Sequence, residues 1–195
     1  RLSGGCSWQA EFGWGAPDAK AEFERQKSLG ASFQTELRDI SVGLGGQPGQ
    51  FSFMYVKGPN GEIIELNTDP DDNFGHVHMN SAEAIAAGAW YRNMFGLEDA
   101  PPYFPHLVIQ TGSGRISRQF LDNVNLIINP ARGEAVFRST RGSVVDHIAI
   151  GVPDLDQAMT AIKVKGVAVL QAPAQGPGGR YRHAFIEDRT RSPSN

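Results

Sequence analysis

The sequence predicts an α+β protein made of repeated modules, each a strand, a helix and then further strands. Two observations carry this. First, "FGWGAPDAKAEFERQKSLGASF" recurs in outline as "IAIGVPDLDQAMTAIKVKGVAV": Gly15, Pro17, Asp18 and Gly30 match Gly151, Pro153, Asp154 and Gly166 at one constant offset. Repeats of this kind mark duplicated supersecondary units. Second, a further strand–helix pattern lies between the copies, "HVHMN" followed by "SAEAIAAGAWYRNMFG".

Each element has a local reason. Pro17 and Pro153 cannot continue a strand ladder and so open a turn. Asp18 and Asp154 stand where a helix N-cap belongs, each carboxylate free to accept orphan amides. Gly30 and Gly166 suit a left-handed helix end. Leu155, Met159 and Ile162 share one helical face, and Ala87, Trp90, Tyr91 and Met94 form the stripe of the middle helix. Ser81 is read as its cap and Gly96 as its stop. After the first helix, "SFQTELRDI", "FSFMYVK" and "EIIELN" read as strands, with "KGPNG" as the turn of a hairpin. After the middle helix the strands are "HLVIQTG", "ISRQF" and "NVNLIINP". After the last they are "VAVLQAP" and "YRHAFIED", and a fourth strand is missing or unrecognisable in "RTRSPSN". Three modules result, about 1–68, 75–140 and 144–195, with the Asp-rich "TDPDDNFG" as linker. The middle and last modules are expected to pair as one domain.

Composition limits the function classes. The chain has 195 residues, 40% hydrophobic, with a net charge of −3. That allows one or two real cores. Opposite charges are interspersed, with no basic patch for nucleic acid. No run approaches the roughly 18 apolar residues of a membrane span. The single Cys6 excludes an internal disulfide framework and a four-cysteine zinc site. A cytoplasmic protein is expected. The opening "RLSGGC" lacks the apolar core of a signal peptide and reads as a frayed terminus.

Three strings carry a family resemblance: the middle strand beginning at His76 with its helix ending "WYRNMFGLE", the second-module opening "VDHIAIGVPDLDQAM", and the module-ending hairpin "YVKGPNGEIIEL". Together they resemble the vicinal oxygen chelate superfamily. The resemblance implies repeated βαβββ modules paired into cupped mixed sheets, the glyoxalase/bleomycin resistance/dioxygenase fold. It also implies a divalent metal (Fe, Mn, Zn, Ni or Co), a small-molecule substrate and a homodimer. His76 and His147 match its first-strand ligand positions, and Glu65 a last-strand ligand position. Glu11 stands where another first-strand histidine would fall, and the fourth ligand is unassigned. His78, two residues from His76 on one strand face, is read as orienting substrate, and His183 as a proton shuttle.

Imidazoles with a carboxylate suit Fe, Mn, Co, Ni and Zn. The leading expectation is therefore a metal-dependent enzyme acting on vicinal oxygens, dioxygenase-like or glyoxalase-like. The alternative is a metal-free binding protein of the bleomycin-resistance type, with Trp8, Trp14, Trp90 and Phe104 as aromatic walls. Glycine-rich "GLGGQPGQ" and "APAQGPGGR" fit no phosphate-loop spacing and read as loops.

Overall fold

Proline and aspartate after the first strand decide the first crossover. In the computed structural model, which describes residues 11–69, 72–99, 110–111, 114–115, 117–121, 124–130 and 140–188, strand β1 (Glu11–Gly15) stops before Pro17 and helix α1 (Ala19–Ser28) begins at once. Asp18 caps it, accepting the Ala21 amide at 2.9 Å. Gly30 follows the helix at φ +76°, a region that residues with a Cβ enter only with strain. Strands β2 (Ser32–Asp39), β3 (Ser52–Lys57) and β4 (Ile63–Asn67) then form an antiparallel meander. β4 comes back beside β1 and pairs with it in parallel. The first module is thus βαβββ, with the strand order β2-β3-β4-β1.

The middle module repeats the plan. β5 (Phe74–Ser81) leads into α2 (Ala84–Phe95). Glu83, not Ser81, is its N-cap; buried Ser81 ends β5, and its hydroxyl accepts the Glu83 amide at 3.1 Å. Gly96 ends the helix at φ +71°. After it come β6 (Glu98–Asp99), the paired two-residue strands β7 (Gln110–Thr111) and β8 (Gly114–Arg115), β9 (Ser117–Leu121) and β10 (Val124–Pro130). β10 lies parallel to β5, as β4 lies parallel to β1.

The two modules meet through β1 and β5, which pair antiparallel. One eight-stranded sheet results, in the order β2-β3-β4-β1-β5-β10-β9-β6. This corrects the expected pairing of the middle and last modules. The linker after β4 is short, and its backbone is held to the end of β1: the Gly15 amide donates to Asn73 O at 2.9 Å and the Ala16 amide to Asn67 O. The chain therefore re-enters the sheet at the free edge of β1.

The last module lies outside that sheet. Residues 144–150, expected as a strand, form none, although they are rich in Val and Ile. Strand propensity is realised only against a partner, and no strand among the described residues pairs with this segment. α3 (Leu155–Val164), capped by Asp154 through the Asp156 and Gln157 amides, is followed by the hairpin β11 (Val169–Gln175) and β12 (Arg182–Ile186). "RTRSPSN" lies outside the described residues. Met159, Ile162 and Val167 pack on Trp90 and Met94 of α2 and on Ala184 and Ile186 of the hairpin. No helix among the described residues is long and apolar enough to cross a membrane.

α2 also closes the main core. Its Ala87 and Tyr91 pack with Val77, Leu126 and Ile128 on one sheet face, beside Phe12 and Phe74. The buried Tyr91 hydroxyl donates to Asp188 at 2.6 Å, and Lys165 Nζ donates to Asn93 O at 2.6 Å. These two bonds tie the last module to α2. Tyr91→Phe should destabilise the chain by about 1.5–3 kcal/mol, the usual worth of a hydrogen bond to a charged partner. Urea denaturation measures the loss, and limited proteolysis should find it concentrated beyond residue 140.

Candidate metal centre

Alternation along the strands sends the polar residues of the central sheet to the face opposite α2. Register then aligns them. One row across five strands reads Tyr55, Glu65, Gly13, His76, Asn125. The adjacent row holds Ile63, Glu11, His78 and Ile127. Glu65 and His76 are separated by β1, so their backbones stand two strand spacings apart, about 10 Å. Gly13 removes the obstacle between them. A Cβ there would fall 1.9 Å from His76 Cε1 and 2.1 Å from Nε2. The imidazole lies across the bare backbone and reaches the carboxylate: His76 Nε2 is 3.6 Å from Glu65 Oε1. His78 Nε2 approaches from the next row, 3.4 Å from Oε2.

Glu65 is only 6% exposed. Burial alone would raise its pKa, but His76 and His78 beside it outweigh burial and hold it below the ordinary carboxylate range. Asn67 Nδ2 donates to its Oε1 at 2.9 Å. Burial, with the Glu65 and Glu11 carboxylates beside it, pushes the Tyr55 phenol well up. Tyr55 therefore stays a hydrogen-bond donor. Glu11 is raised, chiefly by burial, although His78 and the Tyr55 bond pull the other way.

His76 is 3% exposed, and its Nε2 has no hydrogen-bond partner among the described residues. A buried polar atom left so is costly and calls for an explanation. A cation would supply one. Ligand atoms of Glu65, His76 and His78 all lie within 4.8 Å of one another. Two imidazoles and one carboxylate form a donor set that suits a divalent transition metal and leaves positions open. The residues present fit such an ion.

The structure thus brings together Glu65, His76 and His78, with Glu11 beside them. It does not bring His147 or His183 there. His147 lies in the segment that forms no strand; its side chain is 52% exposed, with Nδ1 2.9 Å from Asp146 Oδ1. Without a strand to carry it into a sheet it is no ligand of this group, and His78 takes the place expected for it. His183 lies on β12 with Phe185 and Tyr181 as ring neighbours and Nε2 3.2 Å from Gln171 Nε2. Two of the expected aromatic walls stand elsewhere. Trp14 packs on Phe74 on the helix side, and Trp90 sits between the sheet core and α3. Trp8 and Phe104 lie outside the described residues.

Sequence reasoning missed Gly13, Tyr55, Asn67 and Asn129. Gly13 carried a usable signal, since an isolated glycine inside a strand marks close approach of another group. Tyr55 carries no such signal, because nothing local marks a phenol that lies beside two carboxylates from different strands.

Known structures share this architecture. Glyoxalase I of maize (Zea mays) superposes with a TM-score of 0.62 over 93% of this chain, at 19% identity. The chain has the vicinal oxygen chelate fold. A Bacillus subtilis protein provisionally named a dioxygenase superposes with a TM-score of 0.55 over 93% of the chain, at 11% identity. At these identities the likeness is one of fold. The chain spans only 64% of the maize enzyme and 59% of the Bacillus protein. No protein-family model matches the chain, and no curated protein matches its sequence.

Two substitutions test the geometry. Gly13→Ala places a methyl inside the His76 ring, so it should cost about 1–3 kcal/mol by overpacking and abolish uptake of added zinc, read by thermal denaturation and elemental analysis. Glu11→Gln tests the electrostatics. A carboxyl whose folded pKa is raised loses stability for the fold as pH climbs from its ordinary value, 4.5, through its folded value. The metal-free Gln variant should therefore be more stable than wild type at pH 7, with the gain vanishing below pH 4.5. Melting temperatures across that range decide it.

Proposed function

We propose that this chain is a metal-dependent enzyme that binds a small molecule through two adjacent oxygens at Glu65, His76 and His78. The observation that carries the reading is the buried His76 Nε2 that lacks a hydrogen-bond partner while facing a buried carboxylate and a second imidazole. A divalent cation held there would act as a Lewis acid on chelating substrate oxygens.

The chain's own residues supply the rest. Glu11, raised by burial and paired in register with His78, can take or return a proton beside the bound substrate. Tyr55 stays protonated between the two carboxylates and can donate its single phenolic proton to one of them. Asn67 holds Glu65 from the other side, so the ligand carboxylate is oriented before any ion arrives. The two-histidine, one-carboxylate set favours iron and dioxygen chemistry. The neighbouring Glu11 favours proton transfer of the glyoxalase kind, with zinc, nickel, cobalt or manganese.

Elemental analysis of protein purified without a metal-affinity tag tests this. Wild type should carry close to one equivalent of a divalent metal. His76→Ala and His78→Ala should each lose it, while His147→Ala should keep it. A wild type that holds no metal and takes none up on soaking overturns the reading and leaves a metal-free binding protein. Iron would direct substrate screening to oxygen-consuming reactions, and the other metals to isomerisation and lyase reactions.

A further inference from the structure

Besides Asn125, opposite His76, a second amide of β10 lies on the face of the three-residue group. Asn129 lies one strand period beyond Ile127, the residue opposite His78, so it is the diagonal neighbour of His78 on the same face. Its Nδ2 lies 3.1 Å from His78 Nδ1. An amide nitrogen only donates, so His78 Nδ1 accepts and carries no proton. The proton of neutral His78 is then on Nε2, the atom 3.4 Å from Glu65 Oε2. This arrangement turns the Nε2 proton toward the carboxylate and blocks a cation. A protonated Nε2 has no lone pair to give.

Ligation through Nε2 requires the proton to be on Nδ1 instead, and there it needs an acceptor. Turning the Asn129 amide by half a rotation puts Oδ1 where Nδ2 was, since the two ends of the group are nearly the same size. We infer that Asn129 is a positioning residue whose amide selects the tautomer of His78: its nitrogen favours the metal-free form, and its oxygen favours the ligating form. This rests on the reading of Glu65, His76 and His78 as a metal centre. The proton balance is simple. One proton leaves Nε2 and one arrives at Nδ1 by exchange with water, and the ring stays neutral. The His78 side chain, 17% exposed, is open enough for that exchange.

The test is the pair of nitrogen-15 shifts of the His78 ring, recorded with and without zinc, alongside zinc affinity by competition with a chelator. In metal-free wild type the proton should be on Nε2, and in the zinc-loaded chain on Nδ1. In Asn129→Asp the carboxylate can only accept, so the proton should be on Nδ1 before zinc is added, and affinity should be no weaker than wild type. In Asn129→Leu neither tautomer is held, and affinity should fall on the order of 10–100-fold, as for other groups that orient a metal-bound histidine. A metal-free wild type already protonated on Nδ1 overturns the inference. So does Asn129→Leu binding zinc as tightly as wild type, or Asn129→Asp binding it tenfold more weakly. If Asn129→Leu fails to fold, the wild-type and Asp arms still decide. A wild type that binds no zinc, with or without its expected tautomer, instead removes the metal centre on which the role depends.

Discussion

A glycine in the middle of a strand weakens that strand, since it costs backbone entropy and packs nothing. Gly13 does so at the centre of an eight-stranded sheet, where β1 is flanked on both sides. What the sheet gains is a passage. Strands β4 and β5 do not touch, and their side chains meet only if the strand between them offers no Cβ in that row. The whole group of ligands depends on this absence. With a methyl at position 13, His76 would have to leave the carboxylate, and Glu65 would be a buried charge with one imidazole less to hold its proton off.

The antiparallel contact of β1 and β5 then explains why the two faces of the sheet differ so sharply. Phe12 opposite Val77 anchors the apolar face under α2, while Glu11 opposite His78 and Gly13 opposite His76 form the polar one. Because the strand period is two, a one-residue slip in this pair would bury the imidazoles against Tyr91 and put Phe12 and Val77 among the carboxylates. Core packing and site geometry are therefore one constraint. The core on the helix side fixes the register, and the register fixes which side chains can reach a cation.

Much of the fold was legible because it is written in local chemistry. Asp18 and Asp154 before their helices, Gly30, Gly96 and Gly166 after them, and the alternation in β3, β4, β5 and β10 all act within a few residues. The pairing of modules was not legible in the same way. "VVDHIAI" has the composition of a strand, but composition cannot say whether a partner edge is there, and without one the segment around His147 forms no strand. That single failure moved one expected ligand to the surface. Glu65 and His76 were found through the resemblance. Their contact was not, since it depends on a glycine in a third strand and on which modules share the sheet.

The two modules have also diverged in a complementary manner. Gly13 and His78 occupy equivalent places, each five residues before the N-cap of its module's helix. Each stands opposite a residue on its own module's last strand, Glu65 for Gly13 and Ile127 for His78. So the first module gives a carboxylate and withholds a side chain, while the second gives an imidazole and withholds a ligand, keeping a buried isoleucine. A symmetric centre would draw one donor from each of these four places. Here the candidate donors gather on β4 and β5, and the side toward β10 carries Ile127 and the amides of Asn125 and Asn129. The polar face thus carries its carboxylates toward β4 and β1 and only neutral side chains toward β10.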